Sequence, residues 1–271
     1  MRKIDVLYKK LLQMRVVSIP DIVSFATTIS GTQISSKYTY NKYLRPLIQD
    51  GKLLRIKQGL YFVLDPLETI DHFSMDPFLV ASNIRRQYYL GFHTALEFYG
   101  CAHSPFNTTY ICVHKKDKFN EFTFQNRLFK PVYTTENELG IEKQNYISHD
   151  VLVSSKERTF LDCIDRVEYA GGWEECLKSL ESMSGLDFEK LLCIVNSLDC
   201  DILRRKVGFL LQMFHDTSLY YQSVDGTLLE LLKKRIGHAP CYLEKGQPSH
   251  LNQEWNLYIP KRFPEYLRGI V

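Results

Sequence analysis

The sequence predicts an α+β fold in two parts: an N-terminal head of helices and a hairpin over residues 1–66, then a larger mixed α+β domain over 67–271. Three observations carry this. Apolar residues recur at helical spacing in the first 50 residues and then switch to the two-residue period of strands. The charge is divided: residues 1–66 hold eleven Lys/Arg against four Asp/Glu, a net +7, while the remainder holds 23 against 27, a net −4. Beyond residue 66, strand-like and helix-like stretches are mixed, with no internal repeat and no low-complexity tract.

Taken in order, Ile4, Leu7, Leu11 and Leu12 give one apolar face to a helix over 3–14. Ser18 is suited to cap a second helix, and Pro20 falls early enough in it to lose no hydrogen bond. Ile22, Val23, Phe25 and Ala26 supply its buried face, and Gly31 ends it. Ser35 or Ser36 caps a third helix with Tyr40, Tyr43, Leu44, Leu47 and Ile48 as its apolar residues, closing at Asp50-Gly51. Pro46 lies inside that pattern, where a proline kinks a helix or ends its regular part. Residues 52–56 and 60–64 then read as two short strands joined at Lys57-Gln58-Gly59. Three helices followed by a hairpin is the order of a winged helix-turn-helix, in which the third helix enters the DNA major groove and the hairpin lies on the backbone or minor groove.

The polar residues left over fit that use. Lys37, Tyr38, Asn41, Lys42 and Arg45 are not needed by the third helix's apolar face. Asn pairs bidentately with adenine, and Arg or Lys with guanine, whereas phosphate contacts fix register without reading sequence. Arg55, Lys57 and Gln58 sit on the wing. A basic head on an acidic body implies a polyanionic partner, double-stranded DNA in this architecture. A winged helix acting as a protein–protein adaptor, or guiding a DNA-processing enzyme, stays open as an alternative.

In the larger part, Asp76-Pro77 opens a helix, residues 91–100 form a short helix bounded by glycines, and 108–114 and 151–153 are strands. Residues 119–135 hold Phe-rich strand candidates. Ser154 or Ser155 caps a helix carrying Glu157, Arg158 and Asp162, and Gly171-Gly172 precede a helix from 174 to 183. Residues 188–198, 202–214 and 227–236 read as further helices and 254–259 as a strand. Arg158 and Asp162, like His93 and Glu97, stand four apart on one helix face, the spacing of an ion pair that braces a domain. A metal would need further ligands that the sequence does not supply. The seven cysteines are odd in number and never spaced Cys-x-x-Cys, which reads as reduced thiols in a cytoplasmic protein. No run of 18 apolar residues marks a membrane span, and the N-terminus lacks a signal peptide's apolar core. Phosphate-binding loops, dinucleotide fingerprints and nucleophile elbows are missing, so the sequence predicts no enzyme, no cofactor and no metal.

Four stretches carry a family resemblance: Asp50 to Tyr61 (DGKLLRIKQGLY), His93 to Gly100 (HTALEFYG), Val153 to Asp162 (VSSKERTFLD) and Ala170-Gly171-Gly172. In this order they resemble the AbiEi family of antitoxins, transcriptional regulators of phage-defence operons. The resemblance implies a winged helix that binds inverted repeats in its own promoter and represses the operon. It also implies a C-terminal domain that counteracts a partner nucleotidyltransferase toxin, without requiring a stable complex with it.

Overall fold

The computed structural model describes residues 2–136 and 138–268. Helix α1 (Lys3–Met14) leads through strand β1 (Val16–Ser18) to α2 (Ile19–Ser30). A third helical stretch follows as α3 (Ser36–Thr39), one π-helical stretch (Tyr40–Leu44) and α4 (Arg45–Gln49), then the hairpin strands β2 (Leu53–Lys57) and β3 (Leu60–Val63). Next come α5 (Pro77–Ser82), β4 (Tyr89–Leu90), α6 (Phe92–Phe98), β5 (Thr108–His114), β6 (Phe122–Phe124), β7 (Arg127–Thr134), β8 (Ile141–Tyr146) and β9 (His149–Ser154). The rest is helical through α7 (Lys156–Asp165), α8 (Gly172–Glu181), α9 (Phe188–Leu198), α10 (Asp201–Thr217) and α11 (Gly226–Lys233). It closes with β10 (Cys241–Tyr242), β11 (Ser249–Asn252), β12 (Leu257–Pro260) and α12 (Phe263–Arg268). The fold is mixed α+β, and among the described residues no helix is long and apolar enough to cross a membrane.

The chain forms two compact units, and they do not part at residue 66. Unit 1 comprises 1–88, 107–133 and 143–151; unit 2 comprises 89–106, 134–142 and 152–271. The first 66 residues are thus joined in one unit by segments distant in sequence. The reason is aromatic packing: Phe62 of β3 meets Phe73 at 5.0 Å and Phe124 of β6 at 6.4 Å between ring centroids.

Within unit 1 the first helices follow their local signals. Ser18 and Asp21 form a reciprocal capping box at the start of α2, and Gly31 closes that helix with a φ of 74°, a left-handed turn glycine accepts at no steric cost. Strand β1, too short to show a period, pairs antiparallel with β3, so the sheet order is β1-β3-β2. Leu7, Leu11, Val17, Ile22, Ala26, Tyr43, Leu44, Leu47, Leu53 and Val63 close the core beneath. Ser35 caps the third stretch, accepting from the Tyr38 N–H. Pro46 neither ends nor breaks it. An α-turn would press the proline ring on the Lys42 carbonyl; instead the Arg45 N–H bonds the Tyr40 carbonyl, and this wider turn carries the helix past the ring. The rest of the unit holds the strand neighbours β6-β7-β5. Gln125 and Asn126, both at positive φ, form the tight tip between β6 and β7.

Unit 2 has a predominantly helical core built on Phe160, Leu161, Ile164, Leu177, Leu180, Val207, Leu211 and Phe214 from α7, α8 and α10. Strand β4 pairs parallel with β9, Leu90 opposite Val153. A small sheet of order β10-β12-β11 packs on the same core through Trp255 and Leu257.

Candidate nucleic-acid interface

The third helical stretch turns Tyr43, Leu44 and Leu47 inward and leaves Lys37, Tyr38, Asn41, Lys42 and Arg45 exposed. One assignment changes. Tyr40, expected on the apolar face, is 47% exposed, and Thr39 is buried in its place with its hydroxyl bonded to the Ser35 carbonyl. Tyr38, half exposed, rests edge-on against Tyr43 at 6.4 Å, so its ring is held outward.

Charge on this face is uncompensated. Elsewhere in the segment carboxylates take up cations: Arg2 with Asp5, Lys52 with Asp50, and Arg15 bidentately with Glu68 at 2.7 and 2.8 Å. Among the described residues none of Lys37, Lys42, Arg45 or Arg55 has a carboxylate within 4.0 Å. Lys42 and Tyr38 also line a groove of about 690 Å³ with Arg2, Lys3, Ser30 and Thr32.

On the wing, Arg55 and Gln58 are exposed, and Gly59 at φ 83° makes the tip. Lys57 is placed differently. Its ammonium lies 5.2 Å from the Phe119 ring and 4.9 Å from the Phe122 ring, and burial lowers its pKa, with Arg85 adding to the effect. Sequence reasoning missed this, because Phe119 and Phe122 lie some 60 residues away.

The other motif residues lie in unit 2, and all but the partly exposed Glu97 are buried. Arg158 donates from Nε to Asp162 at 2.7 Å and from Nη1 to the Leu139 carbonyl at 2.9 Å. From Nη2 it reaches the Glu136 carbonyl at 3.3 Å and the Tyr89 hydroxyl at 3.4 Å. Tyr89 in turn donates to Asp162 at 3.4 Å. Burial pushes the Asp162 carboxyl above its ordinary range, and the Arg158 guanidinium opposes this. Glu157 accepts from Ser155 at 2.8 Å, from the Asp187 N–H at 3.1 Å and from Lys190 at 3.0 Å. Burial alone would raise its pKa; these donors together lower it.

His93 stacks flat on Phe106, with ring centroids 3.7 Å apart, and its Nε2 lies 3.2 Å from Glu175. Glu97 is 3.9 Å from the other ring nitrogen and accepts the Phe106 N–H at 2.9 Å. Burial lowers the histidine pKa, against the pull of both carboxylates. The donors around Glu175 hold its own pKa down despite burial. Among the described residues no group of three or more His, Cys, Asp or Glu could hold a metal ion.

No protein-family model matches this chain, and no curated protein matches it. Its fold is similar to that of a solved protein, RV2827C from Mycobacterium tuberculosis, with a TM-score of 0.64 over 94% of this chain and 89% of the other, at 14% identity. At that identity the likeness speaks for the fold alone.

Proposed function

We propose that residues 1–66 form a winged helix-turn-helix that binds double-stranded DNA, and that the chain is a transcriptional autorepressor. The observation that carries the reading is the exposed face of the third helical stretch. It presents Asn41 among Lys37, Lys42 and Arg45, cations with no carboxylate partner among the described residues. A solvated surface of this size ordinarily intersperses both signs; here acids are absent from 22 to 49. The β1-β3-β2 sheet behind the three helical stretches supports the same reading, with Arg55 and Gln58 set to meet the flanking backbone. The motifs at 93–100 and 153–172, which resemble those of the AbiEi family, extend the proposal: the chain acts as an antitoxin against a nucleotidyltransferase toxin, with unit 2 as its scaffold.

The test is a mobility shift on the chain's own promoter at a series of salt concentrations. Affinity should fall steeply and linearly on logarithmic axes, with a slope of about −0.9 per phosphate neutralised. A slope near zero, or no shift at low salt, would remove the DNA reading and leave the winged helix as a protein-binding module. Survival of cells that co-express the toxin tests the antitoxin extension.

A further inference from the structure

We propose that the DNA-binding surface does not end at the wing: Arg86, Lys115, Lys116 and Lys118 continue it within unit 1 and hold the phosphate backbone of the duplex beyond the base-read site. The inference rests on the DNA-binding reading above.

The part of the chain after residue 66 is acidic overall, yet residues 114–118 read His-Lys-Lys-Asp-Lys, and Arg85-Arg86 form a second basic pair. The structure brings the two together. Arg85 donates from Nε to the Asp117 carbonyl at 2.8 Å and from Nη2 to the Lys118 carbonyl at 2.9 Å. His114 accepts the Lys116 N–H at 3.2 Å and fixes the 3₁₀ turn at Lys115–Asp117. These bonds tie the turn to the Arg85 segment.

Phe119 joins this cluster to the wing. Lys57 of the wing lies 5.2 Å from its ring centroid, and the Arg85 guanidinium lies 5.3 Å from the same centroid. Two cations are thus engaged in holding the wing beside the turn. The others are not: Arg86, Lys115, Lys116 and Lys118 are exposed, and among the described residues none has a carboxylate within 4.0 Å. These four cations lie on the two segments that Arg85 and Phe119 tie to the wing. Such a set repels itself until a polyanion neutralises it. A turn that presents three lysines around the single carboxylate of Asp117 suits a row of phosphates and carries no means of reading bases, so the partner is duplex backbone.

The experiment measures binding of the full chain to its promoter duplex, and to a mixed-sequence duplex of about four helical turns, or roughly 40 base pairs. The wild type is compared with the triple variant Lys115→Ala, Lys116→Ala, Lys118→Ala and with Lys116→Glu, a single exposed change that leaves the turn's hydrogen bonds in place. The triple variant should lower the steepness of the salt dependence by about 0.9 for each phosphate no longer neutralised, up to roughly three phosphates. It should also shorten the protected footprint at one end and leave base preference unchanged. An unchanged slope and footprint in both variants, with the wild type binding normally, would overturn the inference and leave the wing and third helix as the whole interface. A wild type that binds neither duplex would overturn both readings together.

Discussion

Replacing Arg158 with Met tests whether the Glu157-Arg158-Asp162 motif is a brace. The guanidinium makes four hydrogen bonds, and both members of the pair are nearly inaccessible, with side chains 5% and 10% exposed. Removing one member leaves the Asp162 carboxyl buried with only the Tyr89 hydroxyl, a situation that costs about 3–5 kcal/mol. The Glu136 and Leu139 carbonyls lose donors too, but both residues are partly exposed and water can replace them. The expected loss is therefore about 4 kcal/mol. Removing both charges, as Arg158→Met with Asp162→Leu, should recover most of it, because an apolar pair of similar volume is often neutral in place of a buried ion pair. The assay is urea unfolding followed by tryptophan fluorescence. Both tryptophans, Trp173 and Trp255, are buried in unit 2, so the signal reports on the unit that holds the pair. A single variant that loses under about 1 kcal/mol, or a double variant that loses the sum of the two singles, would refute the brace.

Three further outcomes are expected. Arg55→Ala should weaken DNA binding without moving the thermal midpoint, whereas Lys57→Ala should cost about 1 kcal/mol of stability, because the Phe122 ring loses its cation and the Phe119 ring keeps only Arg85; equal effects of both on the midpoint would contradict the placement. His93 has a folded pKa lowered from 6.5, so the unfolded chain takes up a proton first as pH falls. Its contribution is complete above pH 6.5 and declines below it; urea midpoints at pH 7.5 and 5.5 should show the decline in wild type and less of it in His93→Gln. Gly208→Ala would drive a Cβ into the buried Trp255 ring, an overpacking that costs about 3 kcal/mol and is read from the same fluorescence transition.

Elements with a local cause were legible in the sequence: Ser18, Asp76 and Ser155 cap the helices they precede, and residues 108–114 form a strand. The exposure of Lys37, Asn41 and Arg45 followed from assigning the core first. What was not legible depends on partners far along the chain. Strand β1 exists because β3 lies beside it. The β8–β9 turn is made by Ile147 and Ser148 at positive φ, without the glycine or asparagine that such a turn favours. The π-helical stretch before Pro46 is one solution to a clash that a kink would also have solved, and sequence does not choose between them. Glu175 and Lys190 complete the His93 and Glu157 networks from 82 and 33 residues away, beyond the reach of spacing rules.

The central claim is that the third helical stretch reads DNA, and base preference at the promoter site tests it most directly. Wild type and Asn41→Ala should be compared on promoter duplexes with each base pair of the site substituted in turn. The account predicts that the variant loses discrimination of about 1–3 kcal/mol at one or two adjacent positions while keeping its salt dependence. A variant with the same base preference as wild type at every position would contradict it.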